Sequence, residues 1–291
     1  MKKIINYYYN LFPENIKNKY GGYYFEIQDN KYLLLHLHVP SKDIIEIYEN
    51  LIKKNIANYI LILNRDGVPV STDNSDEYLL FMINCDDSET MKFSEQIYIA
   101  LEGTVSWSKA WSERINYYEI QINELAQNKK VILQSIYYYI GLAENAIAIA
   151  DKYSEYSNQN NFIQHYRMNV PIKKGEYFNP GNMLIDSFVR DPAEYIKSSF
   201  FFEKREESYY FDYINTIPLT DISANLLIAR LLYPTYYFDI FDEVILNNAE
   251  ENELISIINT HERYENFIIN LYKKLKLNYQ IIDIMWIKKR L

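Results

Sequence analysis

Cysteine is almost absent from this chain: Cys85 stands alone among 291 residues. That excludes an intrachain disulfide framework and a cysteine-based zinc cage, and it fits an intracellular, reducing origin. Cys85 itself reads as a small buried or half-buried side chain. Long apolar runs are missing too. None approaches the roughly 18 residues that cross a bilayer, so no transmembrane helix is expected. Two lysines open the chain, but the Tyr/Asn-rich stretch after them, with Pro13 and Glu14, holds no apolar region and no small-residue cleavage site. No signal peptide is expected there. Positive charge is in deficit, with 30 Lys and Arg against 39 Asp and Glu, for a net charge of −9. Nucleic-acid binders draw affinity from neutralised phosphates, so this balance argues against a nucleic-acid partner and equally against an anionic membrane surface. Internal repeats and low-complexity tracts are absent as well.

The remaining composition is that of a globular protein, with 48% hydrophobic and 24% charged residues. The length allows one large domain or two lobes. Tyrosine is the unusual component, at 30 residues. Its large ring and polar tip suit both a core position and a contact surface.

The first part of the chain carries strand signals. Tyr23–Ile27 and Tyr32–Val39 are separated by the turn Gln28-Asp29-Asn30-Lys31 and read as a hairpin. Pro40 stops the second strand, and Ser41 is expected to cap a helix whose apolar side is Ile45, Tyr48, Leu51, Ile52 and Ile56. Tyr59–Leu63, Val68–Val70 and Glu77–Ile83 complete five strands with one helix, an antiparallel sheet ending at the acidic stretch Asn84–Ser88. From there the pattern is helical, near residues 94–102, 107–128, 132–150, 219–232, 234–247 and 250–275, with Gly103 a breaker. Residues 160–188 hold only short apolar pieces between Pro171, Gly175, Pro180 and Gly181. Asp191-Pro192 then opens another helix, with the aspartate as N-cap. The expected fold class is α+β, with residues 1–86 as the sheet lobe and 87–291 as the helical lobe.

That layout resembles protein kinases and aminoglycoside phosphotransferase-like enzymes, and local strings narrow the resemblance. Trp107-Ser108-Lys109-Ala110-Trp111-Ser112-Glu113-Arg114-Ile115 is similar to the tryptophan-bearing helix of the CotS/YutH group of spore coat proteins. Tyr137–Ile147 resembles a segment of YutH-like proteins, as does Asp283–Arg290 at the C-terminal end. Asn179–Asp186 followed by Arg190–Ile196 is similar to the group's metal-aspartate region and the helix after it. The resemblance implies a two-lobed kinase-like fold, residence in the bacterial mother-cell cytoplasm and then in the spore coat, and other coat proteins as partners. A homo-oligomer is compatible with it.

Phosphoryl transfer on such a fold needs a Gly-rich loop, a lysine on the third strand, a catalytic aspartate, and an asparagine and aspartate for Mg²⁺. The turn Gln28–Lys31 contains no glycine, and Gly21-Gly22 reads as a chain bend. The strand Tyr32–Val39 offers His36 and His38 in place of lysine, neither a dependable cation at neutral pH. The two share a strand face, as a metal pair would, but a metal site needs further ligands. In Phe162-Ile163-Gln164-His165-Tyr166-Arg167, the arginine stands where the resemblance puts the catalytic aspartate. The position five residues on is Ile172, which cannot hold a metal. Asp186 matches the metal-binding aspartate, and an ion pair with Arg167 is its expected structural use. Trp107 and Trp111, one helical turn apart, read as core residues; His261 and the run Glu203–Glu207 read as solvated. The expectation is a pseudokinase with no cofactor, the alternative being an ATP- and Mg-dependent small-molecule phosphotransferase with a divergent site.

Overall fold

The computed structural model describes residues 1–91, 99–101, 107–153, 161–203 and 205–290. Along the chain run α1 (Lys2–Tyr9), β1 (Lys17–Lys19), β2 (Gly22–Ile27), β3 (Asn30–His36), α2 (Ser41–Lys53), β4 (Tyr59–Ile62), β5 (Val70–Asp73), β6 (Asp76–Ile83) and β7 (Ala100–Leu101). There follow α3 (Trp107–Leu125), α4 (Lys130–Lys152), β8 (Asn161–His165), α5 (Lys174–Tyr177), β9 (Met183–Ser187) and α6 (Arg190–Phe202). The chain ends with α7 (Glu207–Asn215), α8 (Asp221–Leu232), α9 (Thr235–Ile245), α10 (Glu253–Leu275) and α11 (Met285–Lys288). Two compact units result: Met1–Leu101 with Phe162–Ile185, and Glu102–Asn161 with Asp186–Leu291. The first unit therefore runs past residue 86 and takes in the segment 162–185, because β7, β8 and β9 pair into a three-stranded sheet.

The larger sheet of the first unit is antiparallel, in the order β1-β2-β3-β6-β4, with β5 also paired to β6. Its register sets Leu33 opposite Phe81, Leu34 opposite Leu80 and Leu35 opposite Leu79. Alternation sends Leu33, Leu35, Leu79 and Phe81 to the face that packs Ile44 of α2, and Leu34, Tyr78 and Leu80 to the face that packs Ile4 and Ile5 of α1. Both faces are covered, which explains why β3 and β6 read as unbroken apolar runs rather than alternating ones. The expected single helix on the sheet is thus corrected to two. Three local expectations shift as well. Ser41 is the first residue of α2 and caps nothing; Pro40 holds the N-cap position, and the Ser41 amide is served by Glu77 Oε2 at 3.3 Å. The fully buried side of α2 is Ile44, Ile47 and Leu51, while Ile52 is exposed. β5 starts at Val70, after Pro69, which cannot donate to a ladder.

In the second unit α4 packs on α3 and α8, and α8 packs on α6. α8 is opened by a capping box between Thr220 and Ser223 and is buried from Ser223 to Leu232. α6 starts at Arg190 with Val189 at its N-cap, so Asp191 lies in the first turn, where an acid suits the helix dipole, and does not cap. The expected helix at 94–102 falls largely outside the described residues, as does Gly103; Ala100–Leu101 is strand. In the run Glu203–Glu207, Lys204 is outside the described residues and Glu203 accepts from Arg205 and Ser199. His261 is half-buried rather than solvated, its ring 5.5 Å from that of Tyr138. Many tyrosines are core residues with satisfied tips: Tyr237 meets Ser135 Oγ at 2.7 Å and Tyr264 donates to the Leu231 carbonyl at 2.8 Å. Tyr7 and Tyr137 remain more than half exposed.

Candidate functional site

β1 holds no apolar residue, and its pairing with β2 gives the sheet a first strand that the hydrophobic pattern concealed. The first turn is therefore Tyr20-Gly21, not Gln28–Lys31, and it does contain glycine. Gly21 has φ +71°, and a Cβ on Gly22 would sit 2.8 Å from the Leu34 carbonyl oxygen, so backbone freedom is needed at one and close approach at the other. By the same count β3 is the third strand, and its lysine is Lys31. His36, farther along β3, stacks on Tyr78 with ring centroids 5.0 Å apart and lies 3.4 Å from Asp76. His38 is beyond the strand end, its ring 4.7 Å from that of His36. Among the described residues no three metal-ligating side chains converge, at this pair or elsewhere.

Lys31 is not free. Its Nζ lies 2.5 Å from Asp87 Oδ1, Lys19 Nζ lies 2.7 Å from Oδ2, and the Tyr20 hydroxyl donates to Oδ2 at 2.9 Å. Asp87 comes from the acidic stretch after β6, yet its side chain is 2% exposed. Burial pushes its carboxyl up, but the bonds from Lys19, Lys31 and Tyr20 outweigh that and hold it at about 2. The Asp87 backbone is fixed separately: the Gly175 amide donates to its carbonyl at 3.1 Å. A Cβ on Gly175 would come within 2.8 Å of the Asp87 Cβ, so only glycine fits there.

β8 ends at His165, buried, with Nε2 2.8 Å from the Tyr177 carbonyl. The Arg167 guanidinium donates to the Tyr166 carbonyl at 2.8 Å. Ile172 is a core residue whose carbonyl accepts from the Met91 amide. The acid in the span 162–185 is Glu176, which sequence reasoning passed over; burial raises its carboxyl, and Asn169 Nδ2 donates to it at 3.0 Å.

In the second unit Asp186 is 1% exposed and fully engaged. The Trp107 indole N–H donates to both oxygens at 2.9 and 3.0 Å, the Ser187 amide donates to Oδ1 at 2.6 Å, and Arg190 Nη1 donates to Oδ2 at 2.6 Å. The guanidinium on this carboxylate is that of Arg190, one helical turn along the chain, and not Arg167 as expected; an i, i+4 partner needs no chain excursion to reach it. Trp107 stacks on Trp111 at 5.3 Å, and Trp111 on Tyr233 at 4.2 Å, so both tryptophans are core residues. Arg230 lies 5.3 Å from the Trp107 ring and donates to Glu194 Oε1 at 3.0 Å. Lys197 Nζ reaches the same oxygen at 2.6 Å and Thr235 Oγ1 at 2.7 Å. Glu194, Lys197 and Arg230 were not singled out from sequence; their signal is a charge inside otherwise buried helices, as in Leu226-Leu227-Ile228-Ala229-Arg230-Leu231-Leu232.

Comparison with known proteins fits this arrangement. A family model described as "Spore coat putative kinase YutH" matches residues 2–271. The endospore coat-associated protein YutH of Bacillus subtilis (strain 168) is 27% identical over 208 residues, which is 63% of this chain and 61% of that protein; the match thus spans under two thirds of the relative's length. An aminoglycoside phosphotransferase from Alicyclobacillus acidocaldarius subsp. acidocaldarius superposes with a TM-score of 0.57 at 9% identity, covering 95% of this chain and 96% of that one. The spectinomycin phosphotransferase APH(9)-Ia, solved with ADP and spectinomycin, gives 0.56 at 10% identity over 93% and 97%. At such identities the structures speak for the fold alone, and the fold is that of the kinase-like phosphotransferases. With the family model matching from Lys2 to Leu271, this chain belongs to the spore coat YutH family.

Proposed function

We propose that this protein is a catalytically inert, kinase-fold component of the bacterial spore coat that works through contact with other coat proteins. Family membership and the coat-associated relative support the location. The observation that carries the inert reading is the state of Asp186. A metal-binding carboxylate must offer lone pairs to the cation, and here an indole N–H, an amide and a guanidinium already take them in a buried site. Admitting Mg²⁺ would set a dication beside the Arg190 guanidinium. The other required parts agree: Arg167 brings a permanent cation where a proton acceptor is needed, Ile172 has no ligand atom, and Lys31 is tied to Asp87. The residues present therefore do not fit Mg·ATP.

A second reading is favoured by one specific observation, Gly21 in the first turn with Gly22 beside it at the start of β2 and a lysine on the third strand. On that reading the protein is an ATP-dependent small-molecule phosphotransferase with a divergent site. An ATP-turnover assay across small hydroxylated acceptors, with wild type and Asp186→Ala side by side, separates the two. The inert reading expects no turnover that depends on Asp186; turnover abolished by the substitution would replace it with the second.

A further inference from the structure

Beyond tying up Lys31, the Asp87 cluster has a chemistry of its own. Two ammonium groups and a phenol converge on one carboxylate, each lysine on a different oxygen. The carboxylate is buried, while the Lys19 and Lys31 side chains keep 40% and 35% of their exposure. The cations thus line the approach and the anion fills the floor.

The donors are positioned without the help of the carboxylate. Lys19 Nζ lies over the rings of Tyr20 and Tyr24, 4.4 and 4.7 Å from their centroids. Tyr20 is set in a left-handed turn at φ 54°, and Asn179 Nδ2 donates to its carbonyl at 2.8 Å. Lys31 is carried on a paired strand, opposite Glu26 on β2 and Ile83 on β6. The backbone of Asp87 is anchored by Gly175. Removal of the carboxylate alone would leave a fixed frame in which two ammonium groups lose their anion beside the Tyr20 hydroxyl, which also reaches the Asp87 carbonyl at 3.0 Å; this is the donor set of an oxyanion site.

We infer that Lys19, Lys31 and Tyr20 form a binding site for a phosphate-type oxyanion, held shut by the chain's own Asp87 acting as a tethered occupant. Because Asp87 is part of the same compact unit, its effective concentration at the site far exceeds that of a free anion, and the intact protein stays closed to phosphate. Glu26 and Asp86 act electrostatically on Lys31 and add negative charge, which further opposes entry of a free anion into the intact protein.

Inorganic phosphate titrated into wild type, Asp87→Ala and Asp87→Ala/Lys19→Met/Lys31→Met, read by calorimetry and by the phosphate-dependent rise in Tm, tests this. Asp87→Ala is expected to bind phosphate at least about tenfold more tightly than wild type, the gain vanishing in the triple variant. Asp87→Ser, which also removes the charge and vacates most of the space, provides the same readout should Asp87→Ala not fold. Equal phosphate binding by wild type and the single variant overturns the inference, and so does a gain that survives loss of both lysines. Neither result bears on whether the intact protein binds Mg·ATP, so failure here and failure of the inert reading remain separate.

Discussion

Two carboxylates, Asp87 in the first unit and Asp186 in the second, are both saturated with donors, yet by different means. Asp87 is held by side chains of Lys19 and Lys31 that are themselves partly in water. Asp186 is held by Trp107 and by Arg190, whose side chain is 9% exposed. When its carboxylate is removed, a lysine that keeps 35–40% of its exposure is hydrated where it stands. A buried guanidinium has nowhere to turn, and the full cost of desolvation stays with it. The first arrangement is a clasp that can open; the second is part of the core.

The sharpest way to break this contrast is Asp186→Ala. It is expected to cost about 3–5 kcal/mol, read from the denaturant midpoint, because Arg190 loses its buried partner. A cost below about 1 kcal/mol would mean that the pair is not integral to the core. Trp107→Phe keeps the stacked ring but removes the indole donor, and should cost about 1.5–3 kcal/mol, the range for a hydrogen bond to a charged group. Asp87→Ala should cost only about 1 kcal/mol, since both freed ammonium groups rehydrate. A loss as large as that of Asp186→Ala would erase the distinction drawn here.

The smallest expected effect is on pH. The Asp87 carboxyl is held at about 2 in the folded protein, below the ordinary value, so the unfolded chain binds its proton first as pH falls. The contribution of Asp87 is thus complete above about pH 4 and is lost as pH drops toward 2. The stability gap between wild type and Asp87→Ala should narrow through that window and stay constant above it. A gap that stayed unchanged down to pH 2 would contradict the lysine clasp.

Much of this was legible in the sequence because it follows local pattern. The β2–β3 hairpin, β6, the long helices, and the fold class itself follow from apolar periodicity and turn residues. What escaped did so for physical reasons. β1, with Lys17-Asn18-Lys19, buries nothing apolar, so only Gly21-Gly22 betrays a turn there. α1 was not expected: it buries only Ile4 and Ile5, and its role is visible only once both faces of the sheet are seen to need cover. The Lys19–Lys31–Asp87 cluster joins residues up to 68 positions apart, and Trp107–Asp186 spans 79, separations that no local pattern reports. Asp186 was picked out as special, but the identity of its partner, Arg190 rather than Arg167, depended on where α6 begins.

The central claim is that the Asp186 carboxylate is committed to the core and gives no purchase to a metal–nucleotide complex. Titration calorimetry of the intact protein with Mg·ATP addresses it most directly. The account predicts no heat of binding at any concentration up to the millimolar range. Saturable micromolar binding of Mg·ATP that Asp186→Ala abolishes would contradict it.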